Sequence, residues 1–259
     1  MIDSVQLALS VLERMAVGGP IGVSALARAL NEPKTTVHRS LESLHEAGWI
    51  QEVDGPAQPG PRQRLWALSP RLLSLGQRAG QPRLRELALP IMEELRNKTH
   101  ETIHLMVPHD ERTVVLIERL DSPHPLRIVR ALGGRSLLHV ASNGKAVLAH
   151  QSSSEQEAYL ARPLKASTPH TIVDPAALRS ELARVRKLGY AVSMGELDEG
   201  VRAVAAAILG PDQRPLGSLS ISCPAQRLPD ERIARYGAWV RSAAKVISRL
   251  VAGGRLAKS

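Results

Sequence analysis

Aromatic side chains are nearly missing from this sequence. Its 259 residues hold three Trp, three Tyr and no Phe, an aromatic share of 2%. Binders of single strands and RNA stack bases on such rings, so their scarcity argues against that class. Cysteine is also scarce: Cys223 stands alone, which excludes an internal disulfide and a cysteine-built zinc cluster and fits a reducing compartment. No run of 18 apolar residues occurs, and no N-terminal apolar segment leads into a small-residue cleavage site. A cytoplasmic protein without a membrane partner is therefore expected.

Acidic residues are missing in bands. Between Asp54 and Glu86 there is none, while Arg62, Arg64, Arg71, Arg78, Arg83 and Arg85 all fall there. A second acid-free stretch, 122–154, holds Arg127, Arg130, Arg135 and Lys145. The formal net charge is +9, with 27 Arg and 7 Lys on the basic side. Such an excess attracts a polyanion at long range. It is unevenly placed: residues 1–80 carry 8 basic against 7 acidic side chains, and the remainder 26 against 18. Hydrophobic residues at 43% and charged residues at 23% are ordinary for a folded chain, whose length suggests two domains.

Residues 1–80 read as helix, helix, tight turn, helix and hairpin. Val5, Leu9, Leu12 and Met15 or Ala16 recur at helical spacing, and the helix ends at Gly18-Gly19-Pro20. A short helix near 23–30 follows, with Ser24 near its start and Leu26, Ala27 and Leu30 as its buried stripe. Asn31-Glu32-Pro33 breaks it, and Pro33 suits the first position of a third helix. There Val37, Leu41 and Leu44 share one face, while Thr35, His38 and Arg39 lie opposite. A polar, cationic helix N-terminus after a tight turn is what a major-groove reader needs. Residues 49–53 and 64–68 then read as paired strands around a Pro/Gly-rich loop, a wing that places Arg62 and Arg64 where phosphate or the minor groove would be met. The expected DNA contacts are Lys34, Thr35, Thr36, His38 and Arg39 on the recognition helix, Ser24 at phosphate, and Arg62 and Arg64 on the wing.

The rest of the chain alternates strands and helices irregularly, the mark of an α+β domain. Residues 70–80 read as a short basic helix before a break at Gln81-Pro82. A long helix lined by Leu84, Leu87, Ile91 and Leu95 follows, with Pro90 expected to kink it. Segments 102–107, 112–120, 126–131, 202–209 and 216–223 read as strands. Helices are expected at 143–150, 155–160, 175–188, the last capped by Asp174, and 230–250.

The string Leu26-Ala27-Arg28 through Pro33-Lys34-Thr35-Thr36-Val37-His38-Arg39, then Leu41, Leu44 and Gly48-Trp49-Ile50, closely resembles the winged helix-turn-helix of IclR-family transcriptional regulators. Further landmarks in order are Thr99-His100-Glu101-Thr102-Ile103-His104-Leu105, Pro125-Leu126-Arg127, Leu138-His139, Ser142-Asn143-Gly144-Lys145-Ala146, Leu188-Gly189-Tyr190-Ala191 and Gly200-Val201-Arg202. The resemblance implies a winged helix-turn-helix over 1–69, a linker helix over 70–82, and a GAF-like effector-binding and oligomerisation domain over 83–254. It implies a double-stranded DNA operator, a small organic effector of carboxylic or aromatic type, no cofactor or metal, and a homodimer or dimer of dimers. Its effector pocket would draw on Ser142, Asn143, Ser193, Val201, Ala203, Ser220 and Ser222, with backbone N–H groups near Asn143 available to a carboxylate. Three positions depart from the usual pattern: Ser193 stands where an acid often occurs, Met194-Gly195-Glu196 replaces a more acidic run, and Ala203 replaces a common Cys.

Some motifs point elsewhere. His100-Glu101-Thr102-Ile103-His104 spells the HExxH of zinc hydrolases, whose histidines must share a helix face. The residues after Glu101 favour a strand, which would put the imidazoles about 13 Å apart. A hydrolase built on the C-terminal domain with that segment as metal site is the competing reading, and a ligand-binding module acting through protein partners is a third. Asn143-Gly144-Lys145-Ala146 lacks the upstream Gly and following Ser/Thr of a phosphate loop. Glu196, Asp198 and Glu199 are expected in a surface loop, and Cys223 as a buried structural thiol.

Overall fold

The structure is a computed structural model that describes residues 4–54, 64–72 and 82–253. The chain divides into two compact units, Met1–Pro82 and Arg83–Ser259.

In the first unit, α1 (Ser4–Gly18), α2 (Val23–Leu30) and α3 (Lys34–Glu46) pack around Leu7, Val11, Met15, Leu26, Val37 and Leu41. The buried stripe of α1 is Leu7, Val11 and Met15; of the expected residues Met15 is buried and Leu12 packs half-buried against the core, but Val5 and Leu9 are exposed. Apolar residues cover more than half of this helix, opposite Gln6, Ser10, Glu13 and Arg14, so spacing alone could not fix which part of that broad face turns inward. The turn between α2 and α3 runs through Asn31, whose left-handed φ of 54° closes α2, and Pro33 stands just before α3 as its N-cap. β1 (Ile50–Asp54) and β2 (Arg64–Leu68) form the hairpin, in register from Ile50 opposite Leu68 to Asp54 opposite Arg64. Trp66 anchors it: its backbone exchanges two hydrogen bonds with Ile21, and its buried ring meets the edge of His45. The expected linker helix lies outside the described residues apart from 70–72 and Pro82.

The second unit is a six-stranded antiparallel sheet between two helical layers. Its strands are β3 (Thr102–Pro108), β4 (Thr113–Leu120), β5 (Arg135–Leu137), β6 (Ala191–Met194), β7 (Val201–Leu209) and β8 (Pro215–Pro224), in the order β5-β4-β3-β8-β7-β6. Alternation along the strands separates two chemistries. Ile103 and Leu105, Leu219, Ile221 and Cys223, and Val204, Ala206 and Ile208 face one side and form the main core with α4 (Pro82–Thr99) and α8 (Asp230–Gly253). The residues between them put His104, Ser218, Ser220, Ser222, Ala203 and Ala205 on the other side, toward α5 (Ser142–Leu148), α6 (Ser153–Leu160) and α7 (Pro175–Leu188). Buried Leu84, Ala88, Met92 and Leu95 line α4, while Leu87 and Ile91 flank that stripe half-buried. Asp174 caps α7 by accepting from the Ala177 N–H, and Gly189 ends it in a left-handed turn.

Two sequence expectations fail here. Residues 126–131 form an extended loop rather than a strand. Their alternating apolar residues leave Leu126 and Val129 exposed, and β5 lies at 135–137 instead. Glu196 is not on the surface: it is buried against Lys145.

Candidate DNA-reading face and ligand cavity

The first turns of α3 present Lys34, Thr35, Thr36, His38 and Arg39, all exposed, because Val37, Leu41 and Leu44 hold the opposite face in the core. Among the described residues Lys34 and Arg39 make no ion pair, and His38 Nδ1 lies 3.3 Å from Glu42. No acid occupies the first turn, so the positive end of the helix and its lysine add. Ser24 is exposed in the first turn of α2. Arg64 opens β2 with its side chain 78% exposed and gives one hydrogen bond of 3.1 Å to Glu52 across the hairpin. Arg62 lies outside the described residues.

The second unit holds a cavity of about 280 Å³ between the serine-bearing side of the sheet, the loop 126–131 and the loop 195–200. Asn143, Ser193, Val201, Ala203 and Ser222 line it, five of the seven residues carried over from the family. Ser142 and Ser220 do not. Ser142 is buried at the start of α5, and Ser220 accepts a 2.8 Å hydrogen bond from Asn143 Nδ2, holding that amide at the cavity wall. At that helix start the backbone of Leu138 passes close over Gly144, so the Asn143 side chain forms the polar edge there.

The sequence reading missed several cavity residues: His104, Ser136, Arg130, Arg135 and Asp198. His104 was legible only as half of a false metal motif. It sits on β3, 2% exposed, with Nδ1 3.3 Å from Ser222 Oγ. Burial, reinforced by the positive charges of Arg130 and Arg119, pushes its pKa down to about 3, so the ring is neutral at neutral pH. Its Nε2, Ser136 Oγ and Asn143 Oδ1 are buried without a partner among the described residues. Three such atoms around one cavity would be costly unless a ligand or water meets them.

The HExxH string does not assemble a metal centre. His100 is exposed in a left-handed turn at φ 57°, and Glu101 takes two 2.7 Å hydrogen bonds from Arg227. His104 points instead into the cavity wall, and no metal-holding group of His, Cys, Asp or Glu occurs among the described residues. Cys223 is buried, which pushes its thiol up to about 12 and leaves it inert. No helix among the described residues is long and apolar enough to cross a membrane.

A helix-turn-helix with a cationic N-terminus, on a chain that also holds a small cavity of mixed apolar and polar lining, defines a DNA-binding regulator that answers to a small molecule. Comparison with known proteins agrees. Residues 4–54 match the IclR helix-turn-helix domain, and residues 78–249 match the family described as bacterial transcriptional regulator IclR C-terminal. The chain is 30% identical to the transcriptional repressor IclR of Escherichia coli, covering 98% of this chain and 92% of the relative. To the regulator KdgR of the same organism it is 32% identical, with 95% and 92% covered. Among solved structures, an IclR homologue of Microbacterium hydrocarbonoxydans complexed with 4-hydroxybenzoate superposes with a TM-score of 0.78 at 26% identity, covering 96% and 99%. The IclR regulator of Alicyclobacillus acidocaldarius gives 0.77 at 26%, covering 97% and 99%. The chain belongs to the IclR family of ligand-responsive, DNA-binding transcriptional regulators.

Proposed function

We propose that the exposed first turns of α3 read operator base edges, and that the cavity of the second unit binds a small organic acid that changes operator affinity. Lys34, Thr35, Thr36, His38 and Arg39 supply the reading face; Ser24, Arg62 and Arg64 meet phosphate or the minor groove. Arg64 can exchange its exposed Glu52 partner for phosphate, since such surface pairs are weak. The observation that carries the effector half is the set of unpartnered buried atoms at His104, Ser136 and Asn143 around one cavity. The 4-hydroxybenzoate bound by the Microbacterium homologue is of a size and polarity that fits such a site. The working assembly is a homodimer, or a dimer of dimers, with half-sites about one helical turn apart. It acts in the cytoplasm, without a metal, a cofactor or enzymatic turnover.

The test is an anisotropy titration of the full chain against its selected operator and against random duplex. Arg39→Ala should reduce the preference for operator by at least about tenfold, the discrimination of one good bidentate contact. Unchanged preference would remove Arg39 from the reading face.

A further inference from the structure

The cavity-facing charges are few: Arg130 on the loop 126–131, Arg135 on β5, and Asp198 on the loop 195–200, with His104 neutral beside them. Arg130 is already engaged, since its Nη2 donates to Asp198 Oδ2 across the cavity. Both residues belong to loops rather than strands, and each side chain is partly solvent-exposed. A carboxylate of the chain thus occupies the guanidinium that an anionic ligand would choose.

Building on the effector reading above, we propose that Arg130 is the anion-recognition residue of this cavity and Asp198 its built-in competitor, so that a ligand monocarboxylate binds by taking the place of Asp198 on Arg130. Charge supports the exchange. Arg130 and Arg135 against Asp198 leave one positive charge in excess, which draws an anion to the cavity, and a monocarboxylate standing in for Asp198 on Arg130 keeps that balance. Guanidinium and carboxylate match as planar partners, and the pairing strengthens as ligand and loop exclude water. The three unpartnered atoms then select what the rest of the ligand carries: groups that bond to His104, Ser136 and Asn143, on an apolar body facing Met106, Leu116 and Val201.

The loop is built to register the exchange. At one end Glu196 is fixed: its carboxylate takes hydrogen bonds of 2.7 and 2.8 Å from buried Lys145 on α5, and its carbonyl accepts from Thr171 Oγ1 at 2.6 Å. Gly195 and Gly200, at φ 79° and 74°, flank the segment. Releasing Asp198 therefore lets 197–199 shift about Gly200 while Gly195 and Glu196 stay anchored, Gly195 by its own backbone bonds to Val201 and Thr168.

The experiment measures binding to the full-length protein by calorimetry, using benzoate, 4-hydroxybenzoate and pentanoate, each beside its primary amide. Wild type, Asp198→Asn, Arg130→Gln and the double variant are compared after their melting curves establish that each is folded. Asp198→Asn should tighten the acids by about tenfold and Arg130→Gln weaken them by at least as much, the effect of one charge-assisted contact. The double variant should bind like Arg130→Gln, and the amides should respond to neither change. Acids that bind equally well to all four proteins, or a gain from Asp198→Asn that persists without Arg130, would overturn the exchange while leaving the cavity reading intact. If no acid binds wild type or Asp198→Asn, the organic-acid reading itself falls, and the exchange with it.

Discussion

His104 is a buried imidazole at the cavity wall whose only hydrogen-bond partner among the described residues is Ser222. Its ring titrates at 6.5 when free and at about 3 in the fold, chiefly through burial. Between those values the unfolded chain binds a proton that the folded chain refuses. Stability is therefore full above about pH 6.5 and falls on acidification toward pH 3. From pH 7 to pH 5 this one group should cost about 2 kcal/mol. Urea unfolding at the two pH values should show that loss, and His104→Gln should make the slope shallower. Some slope will remain, since burial also lowers His139 and His150. An unaltered slope in the variant would contradict the assignment.

Lys145 is the second informative residue. It is 1% exposed and shared by Glu196 and, at 3.4 Å, by Glu181. Burial pushes the Glu196 carboxyl up, against the pull of Lys145. Glu181 is also pushed by burial, yet Arg184 and Lys145 bring it below its ordinary value. Lys145→Met would strand the buried Glu196 carboxylate, while Glu181 keeps Arg184, and should destabilise the second unit by about 3–5 kcal/mol. Adding Glu196→Gln should restore part of that loss in chemical denaturation, whereas purely additive losses would show that the pair is not coupled.

At the scale of elements, α5 shows how tightly the cavity wall is built. A Cβ on Gly144 would lie 2.4 Å from the Leu138 carbonyl oxygen and 2.6 Å from its Cα, both backbone atoms. Gly144→Ala must move Asn143 or the segment before α5, and should cost about 1–3 kcal/mol as overpacking. Thermal unfolding checks this; a neutral substitution would mean the contact is looser than described. Elements also show what could be read in advance. α3, the hairpin, α7 with its Asp174 cap, and the long strands were legible because their apolar periodicity, caps and turn residues agree. The phase of α1 was not, because Val5, Leu7, Leu9, Val11 and Leu12 spread over an apolar face wider than the stripe the core buries. Segment 126–131 alternates like a strand yet has no neighbour to pair with, and β5 and β6, at three and four residues, were too short to declare a period. The cavity was half legible: serines on β8 showed themselves by alternation, but Arg130, Arg135 and Asp198 reach it from separate parts of the chain, a proximity that only the fold creates.

For the whole molecule, the two units divide the work as the chemistry suggests. The near-neutral first unit exposes a small cationic reading face, while the larger excess of positive charge belongs to the second. Scarce aromatics suit both tasks, since duplex edges are read by polar side chains and the cavity is lined by serine, asparagine, arginine and aliphatic groups. The most direct test is selection of duplexes from fragmented genomic DNA by the full-length protein, repeated with an organic acid that calorimetry shows to bind. The account predicts enrichment of a short, two-fold-related sequence whose recovery changes with the acid and is lost in Arg39→Ala. Recovery of random fragments alone, indifferent to acid and variant, would contradict it.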